Sequence, residues 1–325
     1  MPFENIRSFK IACESFNKPP EGCNINQPTN FDLITIDKSW VDILLRVPAL
    51  PAHDQKIVGE LLGRYPGGAG GNVACAASRL GLRTGLVSWV GDDLDGALVL
   101  ADLRRFGVDT TQVLVKPGTA TNYTFGLIDP SGEKAIVIVP TTFDTLLIDP
   151  PLRAYLSSAR LVYTTPYDLD QLERTATVVH AAGGLMATDI EPVAALLDEA
   201  LKYLLSLVDI AFINSDALNH SNYKQAAQEL RAAGPRLVVI TCGARGALAC
   251  AAHEVIQAPA FGLPVTDTTG AGDCFTAAFL AAYLRQRPLE QTLRYAQAAA
   301  VLSIQAYGAR GALPDQAQVQ ALIAS

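Results

Sequence analysis

Between residues 149 and 258 the sequence alternates short apolar runs with longer amphipathic ones, and that alternation restricts the chain to a parallel sheet covered on both faces. The strand-like runs are 160–165, 185–190, 208–214, 236–241 and 247–252; the helix-like runs are 169–182, 193–206 and 221–234. FDLITI (31–36) reads as a buried first strand and WVDILLRV (40–47) as another. The predicted fold is α/β, a doubly wound, mostly parallel sheet. Ligands of such sheets bind beyond the carboxyl ends of the strands, where Asp189, Asn214 and Thr241 fall.

The stretch VTDTTGAGDCFTAAFLAAYL (265–284) carries the clearest chemistry. A glycine turn, Gly270, Ala271 and Gly272, leads to Asp273 and then to an uncharged apolar run. A helix starting at such a turn offers unpaired N–H groups and a positive dipole end to an anion. A carboxylate in the first turn can take the proton of a hydroxyl attacking a phosphoryl group. An N-terminal aspartate is also favoured simply as a helix-end charge.

A second glycine cluster occupies residues 66–96, PGGAGGNVACAASRLGLRTGLVSWVGDDLDG. It is not a P-loop, because no lysine and hydroxyl follow the glycines. It is not a dinucleotide fingerprint either, because Gly68 and Gly70 are followed by Asn72 and Val73 with no third glycine in place.

Taken together, DTTGAGDCF and the Gly-Gly-x-Gly-x-Asn pattern resemble the two signatures of ribokinase-like (PfkB-type) carbohydrate kinases, in that family's order. The resemblance implies ATP-dependent phosphorylation of a sugar hydroxyl. Asp273 would be the base and Gly270–Gly272 the anion hole, with Asp42, Gly67, Gly68 and Asn72 on the sugar. It implies nucleotide contacts from Asn214, from Thr241, Gly243 and Gly246 in TCGARG, and from Gln297. Asp267 and Thr269 match part of a K⁺ site that some members have, and Mg²⁺ accompanies the ATP. A small β lid over the sugar is implied near 37–66 and 111–140, as is a homodimer through it. The chain departs from the pattern at four places. Asp37 and Trp40 stand where the family often has glycine and asparagine. Ala69 replaces a lysine of some ribokinases, which points away from ribose. Ala217 replaces the glutamate of Asn-x-x-Glu. Rival readings are a nucleoside kinase with Tyr123 or Phe125 stacked on a base, and a weakly catalytic sugar and nucleotide sensor.

Composition limits the partners. The net charge is −7 with a pI near 5.1 and no basic run, which argues against nucleic acid or an anionic membrane. Six scattered cysteines and four scattered histidines show no zinc spacing. MPFENIRSFK lacks the apolar core of a signal peptide and no segment approaches the ~18 residues of a membrane span, so a cytoplasmic protein is expected. Residues 1–30 read as an extension outside a kinase domain at 31–325. Residues 287–315 read as a long Ala-rich helix running to a glycine turn, and Arg310 in GARG as a surface arginine, with a sugar or phosphate contact as the alternative.

Overall fold

The computed structural model describes residues 29–130, 134–141, 146–165, 168–190, 198–218, 222–252 and 254–325. The extension at 1–28, and part of the turn expected at 129–132, lie outside them. Strands β1 (Phe31–Ile36), β2 (Trp40–Arg46) and β3 (Glu60–Gly67) come first. Helix α1 (Ala69–Arg79), β4 (Thr84–Gly91), α2 (Leu94–Arg105) and β5 (Asp109–Lys116) follow, and then β6 (Asn122–Ile128) and β7 (Lys134–Val139).

The alternating region supplies α3 (Pro150–Ser157), β8 (Ala159–Thr164), α4 (Leu169–Ala181), β9 (Leu185–Asp189), α5 (Asp198–Ser206), β10 (Ile210–Asn214), α6 (Tyr223–Ala232) and β11 (Leu237–Thr241). A hairpin of β12 (Ala247–Cys250) and β13 (Val255–Ala258) leads to α7 (Ala271–Leu284), α8 (Leu289–Ser303) and α9 (Gln316–Ala324).

Nine strands form one sheet in the order β13-β12-β11-β10-β9-β8-β1-β4-β5, and four form a second in the order β3-β2-β6-β7. The large sheet is parallel except where β12 pairs with β11 and β13. β1 is the point where strand order reverses, with β4 on one side and β8 on the other. This is where an open α/β sheet forms its ligand crevice. One core lies under α1, α2, α7 and α8, the other under α3, α4, α5 and α6. From Cys274 to Leu284, α7 is buried almost throughout, as an uncharged apolar helix must be.

One expectation needs correction. Residues 111–116 do not belong to the lid. They lie in β5, which pairs parallel with β4 because α2 carries the chain back across the sheet. The lid therefore draws on β2, β3, β6 and β7, and its β2–β6 pairing is parallel while the others are antiparallel. The helix expected in 287–315 is α8, which stops at Ser303; the glycine turn follows, and α9 begins at Gln316 behind a capping box on Asp315.

Candidate active site

The start of α7 is built as the glycine turn predicts. Gly270 is its N-cap in the left-handed region, φ 76°, and a Cβ there would sit 2.5 Å from the Ala309 Cβ. Asp267 braces the turn from behind. Its Oδ1 accepts from the Thr269 amide (3.0 Å) and hydroxyl (2.6 Å), and its Oδ2 accepts from the Gly308 amide (2.9 Å). Turn and 304–311 loop thus form one unit. Gly272 is the opposite case: it is exposed, and nothing lies within 4 Å of where its Cβ would be. That corner of the helix start can admit an anion.

Asp273 is met by the other signature. The Asn72 Nδ2 donates to Asp273 Oδ2 at 2.7 Å, across 201 residues of sequence. Asn72 Oδ1 accepts from Arg310 Nε (2.8 Å), while Arg310 Nη1 reaches Asp102 Oδ2 (2.9 Å) and Nη2 donates to the Gly67 carbonyl (2.9 Å). Arg310 is not a surface residue. Its side chain is 4% exposed, and it passes so close to Gly71 that a Cβ there would be 2.5 Å from Nη2. Sequence reading missed it because a GARG turn resembles any solvent loop; the glycine opposite it was the available signal.

The remaining residues expected on the sugar lie on the lid and at the end of β1. Asp42 Oδ1 accepts from the Thr124 hydroxyl (2.6 Å), and a Cβ on Gly67 would collide with the Asp42 carboxylate. Tyr123 and Phe125 alternate with Thr124 along β6, so they take the other face, where they pack on the core in an edge-to-face pair. They are therefore not on the Asp42 side, where stacking on a bound base was expected of them. Asp37, at the end of β1, serves as a cap for α1. Its Oδ2 accepts from the Gly70 amide (2.7 Å), and its Oδ1 accepts from the Lys38 amide (2.7 Å) and the Thr165 hydroxyl (3.0 Å). Burial raises its pKa to about 6 despite these donors.

The residues expected on the nucleotide lie apart from these, at the ends of β10 and β11 and beside β13. Asn214 and Thr241 are register partners on β10 and β11, and Asn214 caps a single 3₁₀ turn by accepting from the Asp216 amide (2.9 Å). Gly243 (φ 54°) is exposed with open space around its Cβ position, whereas Gly246 and the buried Gln297 both converge on the Ala258 carbonyl. The Gln297 amide is used within the packing of α8 against β13. Among the described residues no group of three His, Cys, Asp or Glu side chains could hold a metal ion, and no helix is long and apolar enough to cross a membrane.

The fold recurs in known proteins. The chain belongs to the pfkB family of carbohydrate kinases, whose family model matches residues 31–316. It is 27% identical to the ribokinase of Bacillus subtilis (strain 168), covering 90% of this chain and 99% of that one. It is 28% identical to the nucleoside kinase of Methanothermobacter thermautotrophicus, covering 87% and 93% respectively. Among solved structures, Arabidopsis thaliana ribokinase complexed with ribose and ATP superposes with a TM-score of 0.80 at 25% identity, over 90% of this chain and 98% of that one. The fold class, the small lid sheet and the kinase activity class are those the sequence predicted.

Proposed function

We propose that this chain transfers the γ-phosphoryl group of ATP to a hydroxyl of a small sugar or sugar-like alcohol, with Asp273 as the general base. The observation that carries the reading is the 2.7 Å bond from Asn72 to Asp273. Through it the two glycine signatures support one site, with the open Gly272 corner beside the carboxylate. Asp42, Gly67, Gly68 and Asn72 would orient the acceptor, leaving Asp273 to take the hydroxyl proton as the oxygen attacks. The Gly270–Gly272 amides would stabilise charge on the transferring group.

The exposed Gly243 turn, with Asn214 and Thr241 beside it, fits an ATP phosphate chain, and Gly246 and Gln297 shape the wall behind. Mg²⁺ supplies charge neutralisation when bound. The chain offers it no cage of its own among the described residues, which suits an ion held by phosphates and water. K⁺ beside Asp267 and Thr269 would stiffen the same turn.

A second copy would cover the apolar edge strand β7, where Ile136 is 54% and Ile138 60% exposed. Ile138 pairs with Thr124 and shares its face, so a dimer there would also enclose the acceptor side.

The test is ADP release across a panel of sugars, sugar acids and nucleosides with Mg²⁺, with and without K⁺, for wild type and Asp273→Ala. Stimulation by one compound class, abolished in the variant, is expected. Full activity of the variant would overturn the base assignment. Binding of sugar and ATP without turnover would make the chain a sensor.

A further inference from the structure

We propose that Arg310 is a positioning residue for the base: anchored on Asp102, it fixes the amide of Asn72 so that its NH₂ end is presented to Asp273. The inference rests on the reading of Asp273 given above.

An asparagine side chain has one accepting end and one donating end, and a guanidinium can only donate. With Arg310 Nε at 2.8 Å, the accepting end of Asn72 is committed, and its Nδ2 is what remains for Asp273 Oδ2 at 2.7 Å. The amide is thereby held at both ends and cannot turn over.

Arg310 is held as firmly. It lies inside the protein opposite Asp102, whose other oxygen accepts from Arg105 (2.6 Å), and its third contact is the Gly67 carbonyl. One guanidinium therefore joins α2, the end of β3, α1 and the 304–311 loop. A lysine also has three donors, but they radiate from one nitrogen and cannot span three acceptors that meet three separate nitrogens of a planar fork.

Asp273 needs a fixed donor for two reasons. A hydrogen bond to the charged carboxylate keeps it ionised at lower pH, and it holds the acceptor oxygen where the substrate proton arrives. The ionisable groups that the contacts bring to it include Cys274 beside it and Arg310 with Asp102 behind Asn72. Cys274 is pushed up to about 12 by burial, so it does not titrate in the working range.

Arg310→Lys, Asp102→Asn and the charge-free double variant Arg310→Met with Asp102→Met test the inference. The double variant leaves no buried charge unpaired, so it guards against simple misfolding. Two readouts apply: the pH profile of kcat with the best compound of the panel, and a carbon-13 carboxyl titration of Asp273 assigned with Asp273→Asn. The Asp273 midpoint and the acid limb of kcat are expected to rise by about one to two units, the size of one lost hydrogen bond to a charged group. The loss in kcat should be larger at about pH 6 than at about pH 9, since the alkaline rate no longer depends on ionising the base. Lower stability with both titrations superimposed on wild type would overturn the proposal and leave Arg310 a packing residue. The carboxyl titration reads the Arg310–Asn72–Asp273 contact even if Asp273→Ala proves active, so failure of the base assignment and failure of the positioning role are distinguishable.

Discussion

Two glycines separated by one residue should respond to alanine in opposite ways. In Gly270→Ala the new methyl must occupy left-handed backbone at φ 76° and lie 2.5 Å from the Ala309 Cβ. The backbone strain costs about 1–2 kcal/mol. The overpacking adds about 1–3 kcal/mol. A loss of roughly 2–5 kcal/mol of stability follows. Gly272→Ala meets nothing within 4 Å and sits in ordinary helical backbone, where alanine is favoured by about 0.5–1 kcal/mol. Its methyl would instead stand in the corner assigned to the phosphoryl group, with a fall in kcat of about 10² or more. Urea unfolding followed by fluorescence gives the first quantity, and ADP release with the best acceptor gives the second. If Gly270→Ala unfolds at the wild-type midpoint, the turn is not held against Ala309 as described. If Gly272→Ala keeps kcat within about two-fold, the transferring charge does not sit at this corner.

Asp37 gives a stability slope. Its folded pKa of about 6 lies above the ordinary aspartate value of 3.8, so its contribution is complete below about pH 4 and declines as pH rises through 6. At about 1.4 kcal/mol per unit the decline is about 3 kcal/mol. Urea midpoints between about pH 4.5 and 7.5 should show it in wild type and not in Asp37→Asn, and parallel curves would refute it. Thr124→Val removes the 2.6 Å bond to Asp42 and should raise KM for the acceptor several-fold while KM for ATP is unchanged; equal changes in both would remove Asp42 from the acceptor side. Lysine at Ile136 and Ile138 together should convert a dimer to a monomer in light scattering. A wild type already monomeric at high concentration would exclude the lid dimer.

The parts of this molecule written in local pattern were the parts legible in the sequence. The β/α alternation gave β8 to β12, α4 and α6 to within a few residues; of the helix expected at 193–206, residues 193–197 lie outside the described residues and the rest is α5. The two glycine signatures gave the start of α7 and the entry to α1, because the need for a small residue is visible at the residue itself. What was hidden depends on partners far away in the sequence. Arg310 is buried because Asp102 and Asn72 meet it across 208 and 238 residues, and nothing within GARG indicates this. β5 reads like the lid strands after it, and only its pairing with β4 assigns it to the large sheet. Tyr123 and Phe125 have the residue types of a stacking platform, but strand parity and the face taken by Asp42 turn them the other way.

The contacts that hold Asp273 also determine when a site can exist. They span 201, 238 and 243 residues, and none is local. A growing chain can complete α1 and most of the large sheet and still lack any arrangement around Asp273, because the segment at 304–311 is synthesised after them. Catalytic competence is thus acquired in a final docking step. The same order reversed makes that segment a point of early failure: when it lifts, the sheet persists but the carboxylate loses its support. Mild denaturant should therefore silence the enzyme before the fold itself is lost.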